Sequence, residues 1–250
     1  MELNYTVKGK NQSLILLHGW GGSSSSLDGL QEGLAQKGFL VFNLDLPGFG
    51  KTPLTKSEMN IDDYANAIVE FIKSKNIYKP VLIGHSFGGK LAIKLALEQP
   101  DLISKIVLIG ASGVKPLNDK KKSIFLKVSS FGKKIFTSNL LKSLYNPVRK
   151  FYYYFVVRER DYFNAGEKLQ KTFIKVSDVY FDHLLNNVSV PTLVVWGSED
   201  MVTPLWMGEK LKSGIPGAKL KVVGDARHNL PTIKSEIVSE IIYNYLNEFN

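Results

Sequence analysis

The chain has no cysteine in its 250 residues. That excludes a thiol nucleophile, a disulfide framework and thiolate metal sites. Long apolar runs are also missing. No stretch reaches the roughly 18 apolar residues of a membrane span, and "MELNYTVKGK" at the start has no apolar core of signal-peptide type. The expectation is a soluble, cytoplasmic protein. Histidine is scarce, with four in all. They form no ligand cluster, and no dinucleotide fingerprint accompanies them, so no metal or organic cofactor is expected. No nucleic-acid partner is expected either. Internal repeats and low-complexity tracts are absent. What is present is a chain 44% hydrophobic, long enough for one domain with a sizeable core and an insertion.

Charge of one sign is concentrated in one place. The net charge is +9. Residues 115–185 hold 15 Lys or Arg against 6 Asp or Glu, which accounts for all of it, and the rest of the chain balances. The same segment carries 14 of the 28 aromatic residues. This shift in composition marks 115–185 as a separate unit between two core segments, 1–114 and 186–250.

Outside that unit, short apolar runs recur: "SLILLHG" (13–19), "LVFNLDLPG" (40–48), "PVLIGHS" (80–86), "KIVLIGAS" (105–112), "PTLVVWGSED" (191–200) and "LKVVGDARH" (220–228). Each is too short for a helix and ends in Gly, Asp, Ser or His. Such runs read as parallel strands buried on both faces. Amphipathic helices alternate with them. Ile61, Tyr64, Ala65, Ile68, Phe71 and Ile72 fall on one stripe, with Asn60 as N-cap and Asp62 and Asp63 in the first turn. A last helix, about 235–249, places Ile237, Ile241, Ile242, Tyr245 and Leu246 inward. "MELNYTVKG" adds an antiparallel edge strand or hairpin. The fold class is α/β with a mainly parallel central sheet and flanking helices. Residues 115–185 break the alternation and read as helices interrupted near 129–132, Pro147 and Gly166. In an open parallel sheet, ligands bind outside the carboxyl ends of the strands, so a helical insertion there would roof the site as a lid.

The stretch "IGHSFGGKLAIKLA" (83–96) sets Ser86 between Gly84 and Gly88, where a strand gives way to a helix. Gly-x-Ser-x-Gly arises by composition only about 0.1 times in a chain of this length. On a strand-to-helix turn it is a nucleophile elbow. The turn is too tight for flanking side chains, and the helix amides point where an oxyanion would form. The serine needs a base and an orienting acid. His228 follows the last strand in "GDARHNLP", over the same sheet edge as Ser86. The end of the preceding strand, "WGSEDMVTP", supplies Glu199 and Asp200. The order Ser86, Asp200, His228 is the one nucleophile-elbow hydrolases use. The other acid position, after Ile109, reads "GASGV" and offers no carboxylate. His18 is read as shaping its loop, His85 as packing or hydrogen-bonding beside the elbow, and His183 lies in the insertion. Asp45 in "DLPGFGKT" is read as bracing a tight loop, "FYYYF" (151–155) as core and lid packing, and "KKK" (120–122) as a solvated face.

Taken together, "HGWGG", "DLPGFGKT", "GHSFGG", "WGSEDMVTP" and "DARHNLP" resemble the α/β-hydrolase family, serine-nucleophile branch, in order and spacing over nearly the whole chain. The resemblance implies Ser86 as nucleophile, His228 as general base then acid, and Asp200 as orienting acid. It also implies an oxyanion hole from the backbone N–H groups of Trp20 and Phe87, and a helical lid at 115–185. Family members that cleave epoxides or carbon–halogen bonds carry aspartate where this chain has Ser86, so acyl transfer to water is expected. The leading expectation is hydrolysis of carboxylic esters of small or medium acyl chains through an acyl-enzyme. "HGWG" and "LPGFGK" look like the methyl esterase acting on pimeloyl-carrier protein. "RDYFNAGEKLQKTF" looks like the branch that hydrolyses a carbon–carbon bond in a dienoic keto acid. A lidded ligand sensor with slow turnover is the alternative from another class. The basic, aromatic segment is expected to meet something acidic: an acyl-CoA, an acyl carrier protein or an anionic membrane surface.

Overall fold

The computed structural model describes residues 2–116 and 167–248. The readings of "KKK" (120–122), "FYYYF" (151–155) and the breaks near 129–132, Pro147 and Gly166 lie outside the described residues. Seven strands form one sheet: β1 (Tyr5–Lys8), β2 (Ser13–Leu17), β3 (Leu40–Leu44), β4 (Val81–His85), β5 (Lys105–Ile109), β6 (Thr192–Gly197) and β7 (Lys219–Val223). Their order is β1-β3-β2-β4-β5-β6-β7. All neighbours run parallel except β1, which pairs antiparallel with β3 and so makes an edge strand rather than a hairpin with β2.

The period-2 alternation of a strand splits each central run between two cores. Ile15, Leu17, Leu82, Ile106, Leu108, Val194 and Trp196 face one side, under α2 (Ile61–Ser74), α3 (Phe87–Glu98) and the helix at Leu205–Gly214. Leu14, Leu16, Val81, Ile83, Val107, Ile109, Leu193 and Val195 face the other, under α1 (Asp28–Gln36) and the C-terminal helix Ser235–Asn247. Each such side chain contributes about 1.5–3 kcal/mol on burial. The strands are apolar throughout because both faces are covered. β7 differs: it is an edge strand, and Val222 is 47% exposed.

α2 begins as its sequence requires. Asp63 N–H donates to Asn60 Oδ1 at 2.9 Å, and Asn60 N–H donates to Asp63 Oδ2 at 2.9 Å, a reciprocal capping box. All six residues of the expected stripe are buried. In the C-terminal helix Ile242, Tyr245 and Leu246 are buried and Ile241 packs against the same core, as expected, and the departure is confined to the first turn. Val238 is buried, whereas Ile237 is 47% exposed. The cause is close packing of small residues: Cβ atoms added at Gly29 and Gly33 of α1 would lie 2.8 Å from Ser235 Oγ and Ser239 Oγ. That approach turns Ser239 and Val238 inward and Ile237 out.

Within 115–185, the described residues include α4 (Glu167–Ser177). The helices at 205–214, 230–233 and 235–247 are then α5, α6 and α7. α4 and the residues after it are tied to the sheet. Met59 N–H donates to Thr172 Oγ1 at 2.9 Å. Lys90 of α3, buried, donates to the carbonyls of Val176 and Ser177 at 2.8 and 3.3 Å. Those are the last carbonyls of α4, so the ammonium caps its C-terminus. Val176, Phe181 and Leu185 are buried in the larger core. Among the described residues, no helix is long and apolar enough to cross a membrane.

Candidate active site

β4 lies mid-sheet, and its carboxyl end runs directly into α3 through Ser86. Ser86 has φ 51° and ψ −110°, a strained conformation for a residue with a side chain. The surrounding backbone over-determines it. Ser86 N–H donates to Ile109 O at 3.0 Å, and Ser86 O accepts from Ser112 N–H at 3.0 Å and Lys90 N–H at 3.2 Å. The flanking glycines are required by close approach. A Cβ at Gly84 would lie 2.3 Å from Gly88 O, and one at Gly88 would lie 2.1 Å from Leu17 O.

The loop after β2 rests against this elbow. A Cβ on Gly19 would lie 3.2 Å from Ser86 Cβ and 3.1 Å from His85 Nδ1. His18 shapes the loop from beneath, fully buried. Leu46 N–H donates to His18 Nε2 at 3.0 Å, so the ring proton sits on Nδ1, which donates to Gly19 O at 2.7 Å. Burial holds the ring neutral by pushing its pKa down. Gly22 N–H also donates to Gly19 O, at 3.1 Å. A peptide's C=O and N–H point in opposite directions. With Gly19 O drawn to His18 and Gly22, Trp20 N–H is turned the other way. Phe87 N–H is in the first turn of α3, where no intrahelical acceptor exists. The Trp20 ring packs edge-on against Phe49, Phe87 and Phe173 of α4, with centroids 4.9, 5.3 and 5.1 Å away. These rings form an aromatic cluster around Trp20.

Behind this loop, Asp45 braces the chain as read. Its carboxylate accepts from Asn4 Nδ2, Ser24 N–H and Lys51 N–H at 2.8, 2.7 and 2.8 Å. Burial raises its pKa, but these donors outweigh it and the net shift is downward.

His228 stands on the turn between β7 and α6. Its Nδ1 lies 2.8 Å from Asp200 Oδ2. Asp200 is buried in the loop between β6 and α5. Oδ1 accepts from the N–H groups of Val202 and Thr203, both at 2.9 Å, and Oδ2 also accepts from Thr203 Oγ1 at 2.9 Å. Burial raises the carboxyl pKa, but the His228 hydrogen bond and charge, together with Thr203, more than offset it. The carboxyl stays below its ordinary range. An ionised Asp200 fixes the proton of a neutral His228 on Nδ1 and leaves Nε2 basic. Glu199, the other carboxylate considered, is half exposed and lies 3.6 Å from the guanidinium of Arg227, away from the imidazole.

His85 links the elbow to the histidine loop. Its Nε2 donates to His228 O at 2.8 Å, and the two rings are 4.8 Å apart. Burial first, then the His228 ring, pushes the His85 pKa down to about 3. Ser86 and His228 are thus joined through one residue, while no hydrogen bond among the described residues joins Ser86 Oγ to His228. His183 is exposed and takes no part in this arrangement.

Two residues here were not singled out by sequence. Thr203 supplies two of the four donors to Asp200, and its Asp-x-x-Thr spacing was the available signal. Gly110, at φ 49°, floors the pair. A Cβ there would lie 3.1 Å from Asp200 Oδ2 and 3.4 Å from His228 Nδ1. The position read as lacking a carboxylate is filled by the absence of a side chain.

Comparison with known proteins agrees with this architecture. Residues 12–144 and 170–232 match the α/β hydrolase fold family. An uncharacterised hydrolase, YugF, of Bacillus subtilis is 24% identical, covering 94% of this chain and 90% of its own. A 2-hydroxy-6-oxononadienedioate/2-hydroxy-6-oxononatrienedioate hydrolase of Paraburkholderia phymatum is 26% identical, covering 99% of this chain and 91% of its own. A thermophilic esterase from Thermogutta terrifontis superposes with a TM-score of 0.76 at 19% identity, over 98% of this chain and 93% of that one. The strand order, the strained serine at the head of α3 and the family match lead to one conclusion: the chain belongs to the α/β hydrolase fold family and is a hydrolase.

Proposed function

We propose that this hydrolase cleaves carboxylic esters of small or medium acyl chains through an acyl-enzyme on Ser86. The observation that carries the reading is the strained Ser86, held at φ 51° at the head of α3 and coupled through His85 to a hydrogen-bonded His228–Asp200 pair. Ser86 Oγ attacks the ester carbonyl carbon while His228 Nε2 takes the hydroxyl proton. The oxyanion receives hydrogen bonds from Trp20 N–H and Phe87 N–H. Asp200 holds the imidazole tautomer and stabilises the imidazolium. His228 then delivers its proton to the leaving alkoxide, and the acyl group stays on Ser86. Water, deprotonated by the same Nε2, attacks the acyl carbonyl, and Ser86 leaves with its proton restored.

A second reading is hydrolysis of a carbon–carbon bond in a dienoic keto acid. It is favoured by the Paraburkholderia relative, 26% identical over nearly the whole chain. It uses the same serine and histidine. In both readings residues 115–185 act as a lid whose basic face recognises an acyl-CoA, an acyl carrier protein or an anionic membrane surface, and the enzyme works in the cytoplasm. A chain-length series of p-nitrophenyl esters, run beside a dienoic keto acid, separates the readings. Sustained turnover of C2–C8 esters with the keto acid untouched supports the esterase. Turnover of the keto acid alone overturns it. A burst of product without steady turnover points instead to a ligand sensor.

A further inference from the structure

We infer that Thr203 is a positioning residue whose hydroxyl sets the proton affinity of the His228–Asp200 pair. The inference rests on the proposed use of His228 as base. Thr203 is buried, and its Oγ1 lies 2.9 Å from Asp200 Oδ2, 3.0 Å from Gly110 O and 3.2 Å from His228 Nδ1. A hydroxyl carries one proton, and two of these neighbours are acceptors only. The ionised carboxylate is the stronger acceptor, so the proton goes to Oδ2. Thr203 and His228 then donate to the same oxygen. With the N–H groups of Val202 and Thr203 on Oδ1, all four acceptor positions of the carboxylate are filled. Each donor to Oδ2 draws density from the oxygen the other uses. The hydroxyl therefore weakens the attraction between Asp200 and a protonated His228, and keeps the imidazole neutral to lower pH.

The other titratable and charged groups around His228 do not supply this tuning. His85, from β4, is kept neutral by burial and donates to the backbone carbonyl of His228. Glu199 and Arg227 offset each other at 3.6 Å on the exposed side of the loops.

The test compares Thr203→Val, Thr203→Ala and Thr203→Ser with the parent enzyme. The first readout is the pH dependence of kcat/KM for p-nitrophenyl acetate. The second is NMR titration of the His228 ring in a Ser86→Ala background, which needs no turnover. Without the hydroxyl, the acid limb and the ring titration should both move to higher pH by about half a unit to one unit, as expected for removing one hydrogen bond to the charged partner. Thr203→Ser should restore the parent profile. Thr203→Ala should match Thr203→Val, which covers the case of a valine packing badly at this position. Superimposable titrations for all four proteins overturn the inference, as does a Ser variant that shifts like the Val variant. Failure of the catalytic reading looks different: Ser86→Ala would keep its activity while the NMR shift could still be seen.

Discussion

Replacing Asp200 by asparagine leaves the acid loop nearly intact and changes the one thing the mechanism needs. The Oδ1 of the new amide can still accept from the N–H groups of Val202 and Thr203, both now at 2.9 Å. Its nitrogen takes the place of Oδ2, 2.8 Å from His228 Nδ1. An amide nitrogen donates where a carboxylate accepts, so Nδ1 must become the acceptor and the ring proton moves to Nε2. The base is then on the wrong nitrogen. Thr203 adapts as well, since its hydroxyl can turn to Gly110 O at 3.0 Å. The fold is therefore retained, and the loss is catalytic. In a serine triad this change lowers kcat by about 10⁴-fold, or roughly 5 kcal/mol at about 1.36 kcal/mol per decade. Initial rates on p-nitrophenyl butyrate, with the melting temperature measured alongside, make the comparison. A fall of less than tenfold in a folded Asp200→Asn protein refutes the reasoning. So does a larger loss from Glu199→Gln, whose carboxylate points to Arg227.

Further outcomes follow from the same geometry. Gly88→Ala would push a methyl against Leu17 O, only 2.1 Å from the Cβ position. It should cost about 3 kcal/mol or more and lower the melting temperature by roughly 6–12 °C, whereas an unchanged melting curve would contradict the packing. His85, with a folded pKa of about 3 against an unfolded value near 6.5, contributes stability that is complete above pH ~6.5 and is lost progressively as pH falls towards 3. His85→Gln should flatten the melting temperature between pH ~6.5 and ~4, and an unaltered slope would be the contrary result. If the basic segment recognises an anionic acyl carrier, kcat/KM for an acyl-CoA should fall with salt while that for a neutral ester stays flat. Lys120, Lys121 and Lys122 changed to Glu should reproduce the fall, and equal flat profiles would leave the charge without that role.

Much of the frame was legible because it is written locally. The central strands are apolar on both faces, and Asn60 and Asp63 cap α2 through their own spacing. Gly84 and Gly88 flag the tight turn at Ser86 because the backbone around them leaves no space for a Cβ. Asp200 and His228 are 28 residues apart, yet each follows a strand that ends on the same edge, which is how they come within 2.8 Å. What was not legible depends on which surfaces meet. Ile237 looked inward by periodicity, and only the approach of α7 to Gly29 and Gly33 turns it out. Gly110 matters through a missing side chain, which a search for carboxylates passes over. Thr203 was within the quoted motif, but its contacts run to Gly110, 93 residues away. His18 and His85 could be read as local helpers, while their partners, Leu46 and the His228 carbonyl, emerge only in the fold.

The central claim is that Ser86 carries the acyl group. Rapid quenching of the protein with an excess of p-nitrophenyl butyrate, followed by mass spectrometry of the intact chain and its peptides, tests it directly. The account predicts a butyryl adduct on the peptide containing Ser86 and none in Ser86→Ala. A butyryl group on any other residue during turnover, or undiminished turnover by Ser86→Ala, would contradict it.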